Sequence, residues 1–396
     1  MNYSTIFASC LFTAVFAFAQ FTWETPSEDA STPSQNPAPP PVHSRPAEAK
    51  PAPPEGKISF DNLRGNAYNP YSTQGAASTV GDLVLFPGDI NGQKFFYISP
   101  TDFVGYTAFD LGGNSVLLGL DNSPVGNKAA LILGYATPAF GIALNYSVSK
   151  TWESNKSPTK SSTRTTDSGD NIGLYFSMPF GSATFYANGG WLTYATSNST
   201  DANGDETASD YSAITSNAGL TDTYGSLNYD LFFSFIRTGG TQTLPNGDKL
   251  VDADSYLGLG LGLNLGYAAL QSSNARVIAG LNNFLYIQFL DAVSQGPKSD
   301  NIIGFIMSPN ILGEVALSEN MLAFTGAAHS LDFQGGGDRD NNTSQFHIQH
   351  GDGTAAFAGL RYQKKNWALE AQISSNPFEA LNGENVFYNL GGFIYF

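Results

Sequence analysis

Residues 256–267 read YLGLGLGLNLGY, with leucine at every second position from Leu257 to Leu265 and Gly258, Gly260, Gly262, Asn264 and Gly266 between them. A helix would scatter those leucines around its axis. A strand sends alternate side chains to opposite faces, so a period of two specifies a strand. Glycine inside a strand adds no packing and often marks a place where another backbone or a ligand comes close. The stretch therefore demands an apolar neighbour on one face and room for something on the other.

The same alternation recurs. Over 139–152, Phe140, Ile142, Leu144, Tyr146, Val148 and Trp152 oppose Gly141, Ala143, Asn145, Ser147, Ser149 and Thr151. Over 226–236, Leu227, Tyr229, Leu231, Phe233 and Phe235 oppose Asn228, Asp230 and Ser234. Connections alternate too: tight ones near 136–138, 181–182, 223–225, 270–273, 318–320 and 364–366, long polar ones at 153–168, 197–210, 238–252, 291–300, 335–353 and 377–384. Alternating short and long links describe an up-and-down antiparallel barrel with two unlike rims. The expected strands are 114–121, 128–136, 139–152, 169–180, 183–196, 211–222, 226–237, 253–268, 274–290, 301–317, 321–334, 354–363, 366–376 and 385–396, fourteen in all. Most reach the ~9–11 residues that a tilted strand needs to cross a bilayer.

Composition says what lies outside such a wall. Only 13% of the 396 residues are charged, against ~25% in soluble domains, so much of the surface does not face water. An apolar run from Ile6 to Ala19, closed by small residues, reads as a secretory signal over 1–19. The lone Cys10 leaves with it, and the mature chain has no disulfide. Residues 24–56 hold ten of the 21 prolines and few large apolar groups, so 20–56 reads as a disordered periplasmic linker. A soluble sandwich would also alternate, but it gives no reason for sorted rims. The expected place is the outer membrane of a Gram-negative bacterium.

The chain ends NVFYNLGGFIYF, with Val386, Tyr388, Leu390, Ile394 and terminal Phe396 on one face. This resembles the C-terminal signature of bacterial outer-membrane barrels, which implies that the barrel-assembly machinery reads Phe396. Tyr135, Phe140, Phe180, Tyr267 and Trp367 also gather at the short-turn ends, as an interfacial girdle does. Residues 57–113 are too apolar for a linker and too irregular for the strand count, so they are expected to form an N-terminal plug, or hatch, in the lumen of a barrel spanning 114–396. That organisation resembles the long-chain fatty acid transporter family of the outer membrane, and NAYNP at 66–70 is similar in flavour to that family's early Asn-Pro segment. The proline-rich extension is not a general feature of that family.

By parity, Arg276, Asn282, Tyr286, Gln288, Asn310, Glu314, Arg361 and Glu370 line the lumen as selectivity groups or as ties to the hatch, with Arg361 and Glu370 near enough across a tight turn to pair. Gly258, Gly260, Gly262 and Gly266 form a bare wall against which the hatch is expected to lie. Catalysis is not expected: His329 and Ser330 are adjacent on a strand and point to opposite faces. His347, His350 and Asp352 share a polar stretch, but no metal or cofactor is expected there, and the acidic segments DANGDE at 201–206 and DRDNN at 338–342 lack a downstream bidentate Glu. A net charge of −16 disfavours nucleic acid and suits divalent bridging to lipopolysaccharide among the outer-membrane lipids. Two function classes follow: a plugged channel or transporter for a small solute, apolar ones included, or a structural or adhesive anchor whose residues 20–56 grip peptidoglycan or a periplasmic protein.

Overall fold

A computed structural model describes residues 80–101, 104–122, 129–156, 162–200, 206–243, 249–251, 255–272, 274–290, 301–338, 343–350, 355–375 and 386–396. The expected signal, the expected linker, residues 57–79 of the expected hatch with their NAYNP segment, His43 and Asp352 lie outside them, as do residues 201–205 and 339–342 of the two acidic segments. A four-residue helix α1 (Asp82–Leu85) and a 3-10 turn (Pro87–Ile90) precede the strands. The first eight are β1 (Phe95–Ser99), β2 (Val104–Leu111), β3 (Asn114–Asn122), β4 (Ala129–Ala136), β5 (Gly141–Lys156), β6 (Ser162–Phe180), β7 (Ala183–Thr200) and β8 (Glu206–Tyr224). Then come β9 (Leu227–Thr243), β10 (Lys249–Val251), β11 (Tyr256–Gln271), β12 (Ala275–Leu290), β13 (Ile302–Ser318), β14 (Met321–Ala328) and β15 (Leu331–Asp338). The last are β16 (Thr343–His350), β17 (Ala355–Lys364), β18 (Trp367–Ser375) and β19 (Val386–Tyr395).

These segments form one antiparallel sheet that closes on itself where β1 pairs with β19, Phe96 opposite Ile394 and Tyr97 opposite Phe393. Both β10 and β11 pair with β9, so they are one interrupted stave. In the same way β14 and β15 lie end to end along β13, and β16 and β17 lie end to end along that broken stave. The wall therefore has sixteen staves, and the β1–β19 seam closes it.

Sixteen corrects the fourteen expected, and the two added staves come from the supposed hatch. Phe95–Ser99 and Val104–Leu111 belong to the wall. They escape notice because β1 is only five residues long and because β2 sets Phe109 and Leu111 beside polar or small residues, which blurs its alternation. The Gly112–Gly113 link has positive φ at both residues, 67° and 88°. That is the two-residue hairpin turn that joins twisted strands. The count of fourteen, on which the resemblance to the fatty acid transporters rests, is not what the wall contains.

Side chains alternate as the sequence demands. Leu261 and Leu263 are 42% and 39% exposed on the outside, while Gly258, Gly260, Gly262 and Gly266 are buried on the inside. Exposed Leu131, Leu133, Ile142, Leu174, Leu285, Leu369 and Ile373 continue the outer apolar surface. The expected girdle residues Tyr135, Phe140, Phe180, Tyr267, Trp367 and Phe396 are all exposed. Several expected loops are largely strand, because β5 and β6 pair out to Lys156 and Ser162, and β15 and β16 pair where 335–353 was expected to be loop.

Candidate functional site: the inner wall and the segment docked in it

The N-terminal segment enters at the rim of short turns, where β1 begins. Val80, Leu83 and Ile90 are fully or almost fully buried in a cluster with Tyr97, Tyr106, Leu117 and Ile132 from the inner wall. Two backbone amides fix its course: Gly88 N–H donates to Ser177 Oγ at 2.7 Å, and Gly92 N–H donates to Ser115 Oγ at 2.9 Å. The phenyl of Phe86 meets Tyr186 edge-on at 5.0 Å. Room for this comes from glycine: a Cβ on Gly141 would lie 2.1 Å from the carbonyl carbon of Pro87, and one on Gly134 would lie 2.7 Å from Ile90. The segment therefore lies against β3–β7. Asp89 keeps accessible surface inside the barrel, and the protein around it raises its carboxyl pKa above the usual value through loss of hydration.

Nearer the same rim the charges are paired. Arg276 faces Glu314 across β12 and β13, and its Nε donates to Glu314 Oε2 at 2.9 Å. Arg361 faces Glu370 across β17 and β18 at 3.7 Å, donates to the Tyr395 hydroxyl, and sits 4.8 Å over the Phe393 ring. All four residues are buried. Burial of a charge is tolerated when a partner and hydrogen bonds replace water, so these pairs act as fixed struts of the wall. The Arg361–Glu370 pairing follows from the sequence. The Arg276–Glu314 pairing does not, because its strands are joined by a long connection.

Farther from that rim the lining is amide, hydroxyl and ring. Asn282 stands between Asn264 and Ser308, and its Oδ1 is buried without a hydrogen-bond partner. Asn310 covers Gly280, with its Oδ1 2.1 Å from where a Cβ would be, and donates to the Ser308 carbonyl. The Tyr286 hydroxyl donates to Asp332 at 3.3 Å, and Gln288 opposes Gly258. Each has the inward parity expected of it.

The glycine wall is not bare. A Cβ on Gly262 would strike the Phe232 ring at 2.0 Å, one on Gly260 the Phe284 ring at 2.2 Å, and one on Gly258 the Ile236 side chain at 2.5 Å. Neighbouring staves cover these glycines with aromatic and aliphatic groups, while the described part of the N-terminal segment lies on β3–β7. The same device recurs where Phe324 covers Gly359, Phe357 covers Gly326 and Tyr97 covers Gly391. Rings laid over strand glycines restore the packing that the missing side chain gives up.

Phe232, Phe284 and Asp332 are lining residues that parity could have supplied, and Asp230 stands on the inner face that its alternation gives it. Phe232 and Phe284 are passed over because an apolar residue between polar ones reads as noise. Asp230 accepts from Tyr186 at 2.8 Å and from Asn264 at 3.0 Å. His347 is exposed on β16, and His329 and Ser330 bridge β14 and β15. Among the described residues no group of three His, Cys, Asp or Glu is placed to hold a metal. Phe396, beside Lys94, shares the outer face of Ile394.

No protein-family model and no curated protein matches the chain. Among solved structures it is similar to the β domain of the Bordetella autotransporter BrkA, at 15% identity over 65% of this chain and 99% of that one, TM-score 0.29. It is similar to CdiB from Escherichia coli, at 12% identity over 76% of this chain and 62% of that one, TM-score 0.40. It is also similar to BauA, the ferric preacinetobactin receptor of Acinetobacter baumannii, at 11% identity over 71% of this chain and 53% of that one, TM-score 0.40. This chain thus spans about half the length of the receptor. Superpositions this loose do not bear on what the chain carries. Its own wall places it: a closed antiparallel barrel with an apolar outer face and aromatic rims is a β-barrel of the Gram-negative outer membrane.

Proposed function

We propose that this protein is an outer-membrane channel or transporter for a small solute, in which residues 80–92 narrow the lumen at the short-turn rim. The observation that supports this reading is the kind of docking: two amide-to-serine hydrogen bonds, an edge-on ring contact and a glycine seat hold a segment that is not itself a stave. Val80, Leu83 and Ile90 are buried with it, so the seat holds the segment as a standing constriction rather than as a loosely held flap. The polar lining beyond it suits a solute with hydrogen-bonding groups rather than a wholly apolar one.

The test is single-channel recording in planar bilayers with the full chain and with a variant lacking residues 82–91. Larger unit conductance or more frequent opening in the deletion supports the reading. Equal conductance, with both proteins folded by their heat-dependent gel mobility, overturns it.

A further inference from the structure

Three rings tile the inner wall across four neighbouring staves. Phe232 reaches from β9 over Gly262 of β11, Phe284 reaches from β12 over Gly260, and Tyr286 reaches from β12 over Gly304 of β13. Their planes run nearly parallel: Phe232 and Phe284 are 5.9 Å apart at 12°, and Phe284 and Tyr286 are 6.0 Å apart at 24°. Phe232 and Phe284 both keep part of their surface accessible. The strip is bordered by hydrogen-bonding groups. Asp230 and Asn282 are each two residues from a ring along their strands, and Asp332 receives the Tyr286 hydroxyl. Both carboxylates are oriented by neutral donors, Asp230 by Tyr186 and Asn264, Asp332 by Tyr286 and Gln334. The lumenal arginines Arg276 and Arg361 face glutamates instead.

We propose that this strip is a binding track for neutral, hydroxyl-rich ring solutes, that is, oligosaccharides. A pyranose offers an apolar C–H face and a rim of hydroxyls. The face matches an aromatic ring laid flat against a wall, and the hydroxyls match acceptors and amides at its edge. Phe232 and Phe284, the two rings with accessible surface, match two neighbouring sugar units, and the buried Tyr286 backs them. Carboxylates held by the neutral donors Tyr186, Asn264, Tyr286 and Gln334 disfavour anionic solutes.

This inference deepens the channel reading, but binding stands apart from passage. Calorimetry on the detergent-solubilised full chain would use maltohexaose, a polyethylene glycol of similar mass and tetraethylammonium, with the Phe284→Ala variant beside it. Saturable heat is expected with maltohexaose and not with the polyether, with affinity about tenfold lower in Phe284→Ala. The Asp332→Asn variant, which keeps the rings, tests the border and should also weaken binding. Binding of tetraethylammonium alone, equal response to the polyether, or affinity unmoved by both substitutions overturns the proposal. Binding without any ion current would sink the channel reading and leave the track standing. Current without sugar binding would do the reverse.

Discussion

Gly141 and Pro87 share a space that admits no side chain: a Cβ on the glycine would lie 2.1 Å from the Pro87 carbonyl carbon and 2.2 Å from the Gly88 amide nitrogen. Both neighbours are backbone, so neither can swing aside. Gly141→Ala should therefore loosen residues 80–92 in their seat, at a cost of about 1–3 kcal/mol to docking, while the closed wall persists. Hydrogen exchange of Leu83, Val84 and Ile90 amides would show it. Exchange as slow as in the parent would mean the seat is not the constraint described here.

Docking should also respond to acid. Asp89 has a raised pKa when the segment is seated, because surrounding protein replaces water around its carboxyl. The seated form binds the proton more tightly than the released form. Docking is thus strongest below the ordinary carboxylate value of 3.8 and weakens as pH climbs from there through the raised value. Proteolytic cleavage within 80–92 should be slower at pH 4 than at pH 7 with an acid-tolerant protease. Asp89→Asn should flatten that difference and slow cleavage at pH 7.

Removing one partner of a buried pair leaves the other charge without its counter-ion. Arg361→Leu should destabilise the barrel by about 3–5 kcal/mol, and Arg361→Leu with Glu370→Leu by less. Denaturant unfolding in detergent compares them. A double variant no more stable than the single would show that the two charges do not act as a pair.

The ring cover predicts a specific rescue. Gly260→Ala pushes against Phe284 and should cost about 1–3 kcal/mol, whereas in a Phe284→Ala background the same change should cost much less. Additive costs would mean that something other than the ring covers the glycine.

Strand type and facing were legible because parity is local: YLGLGLGLNLGY states which side chains share a face, and Arg276, Asn282, Tyr286, Glu314 and Arg361 point inward as their positions require. What parity does not carry is which stave lies beside which, and at what register. The cover over Gly260 comes from a ring on another strand, and the Arg276–Glu314 pair spans 38 positions. Neither is written in its own segment. The first two staves were missed for a related reason. A five-residue strand such as FFYIS has too few periods to announce itself, and only its partners, the last strand and the hairpin turned by Gly112–Gly113, define it.

The central claim is that β1 closes a sixteen-stave wall against β19. It is tested most directly by a cross-link between Phe96→Cys and Ile394→Cys, which oppose each other across that seam. Directly opposite residues on antiparallel strands stand about 4.5–5.5 Å apart at Cα, within disulfide range. Cys10 is the chain's only native cysteine, so the background is clean once the amino-terminal segment is omitted. The account predicts that oxidation links residues 96 and 394 as readily as a control pair at Ala371 and Leu390 within β18 and β19, recovered as one linked peptide by mass spectrometry. Linkage of the control pair without linkage of 96 to 394 would contradict it, and would return residues 95–111 to the lumen.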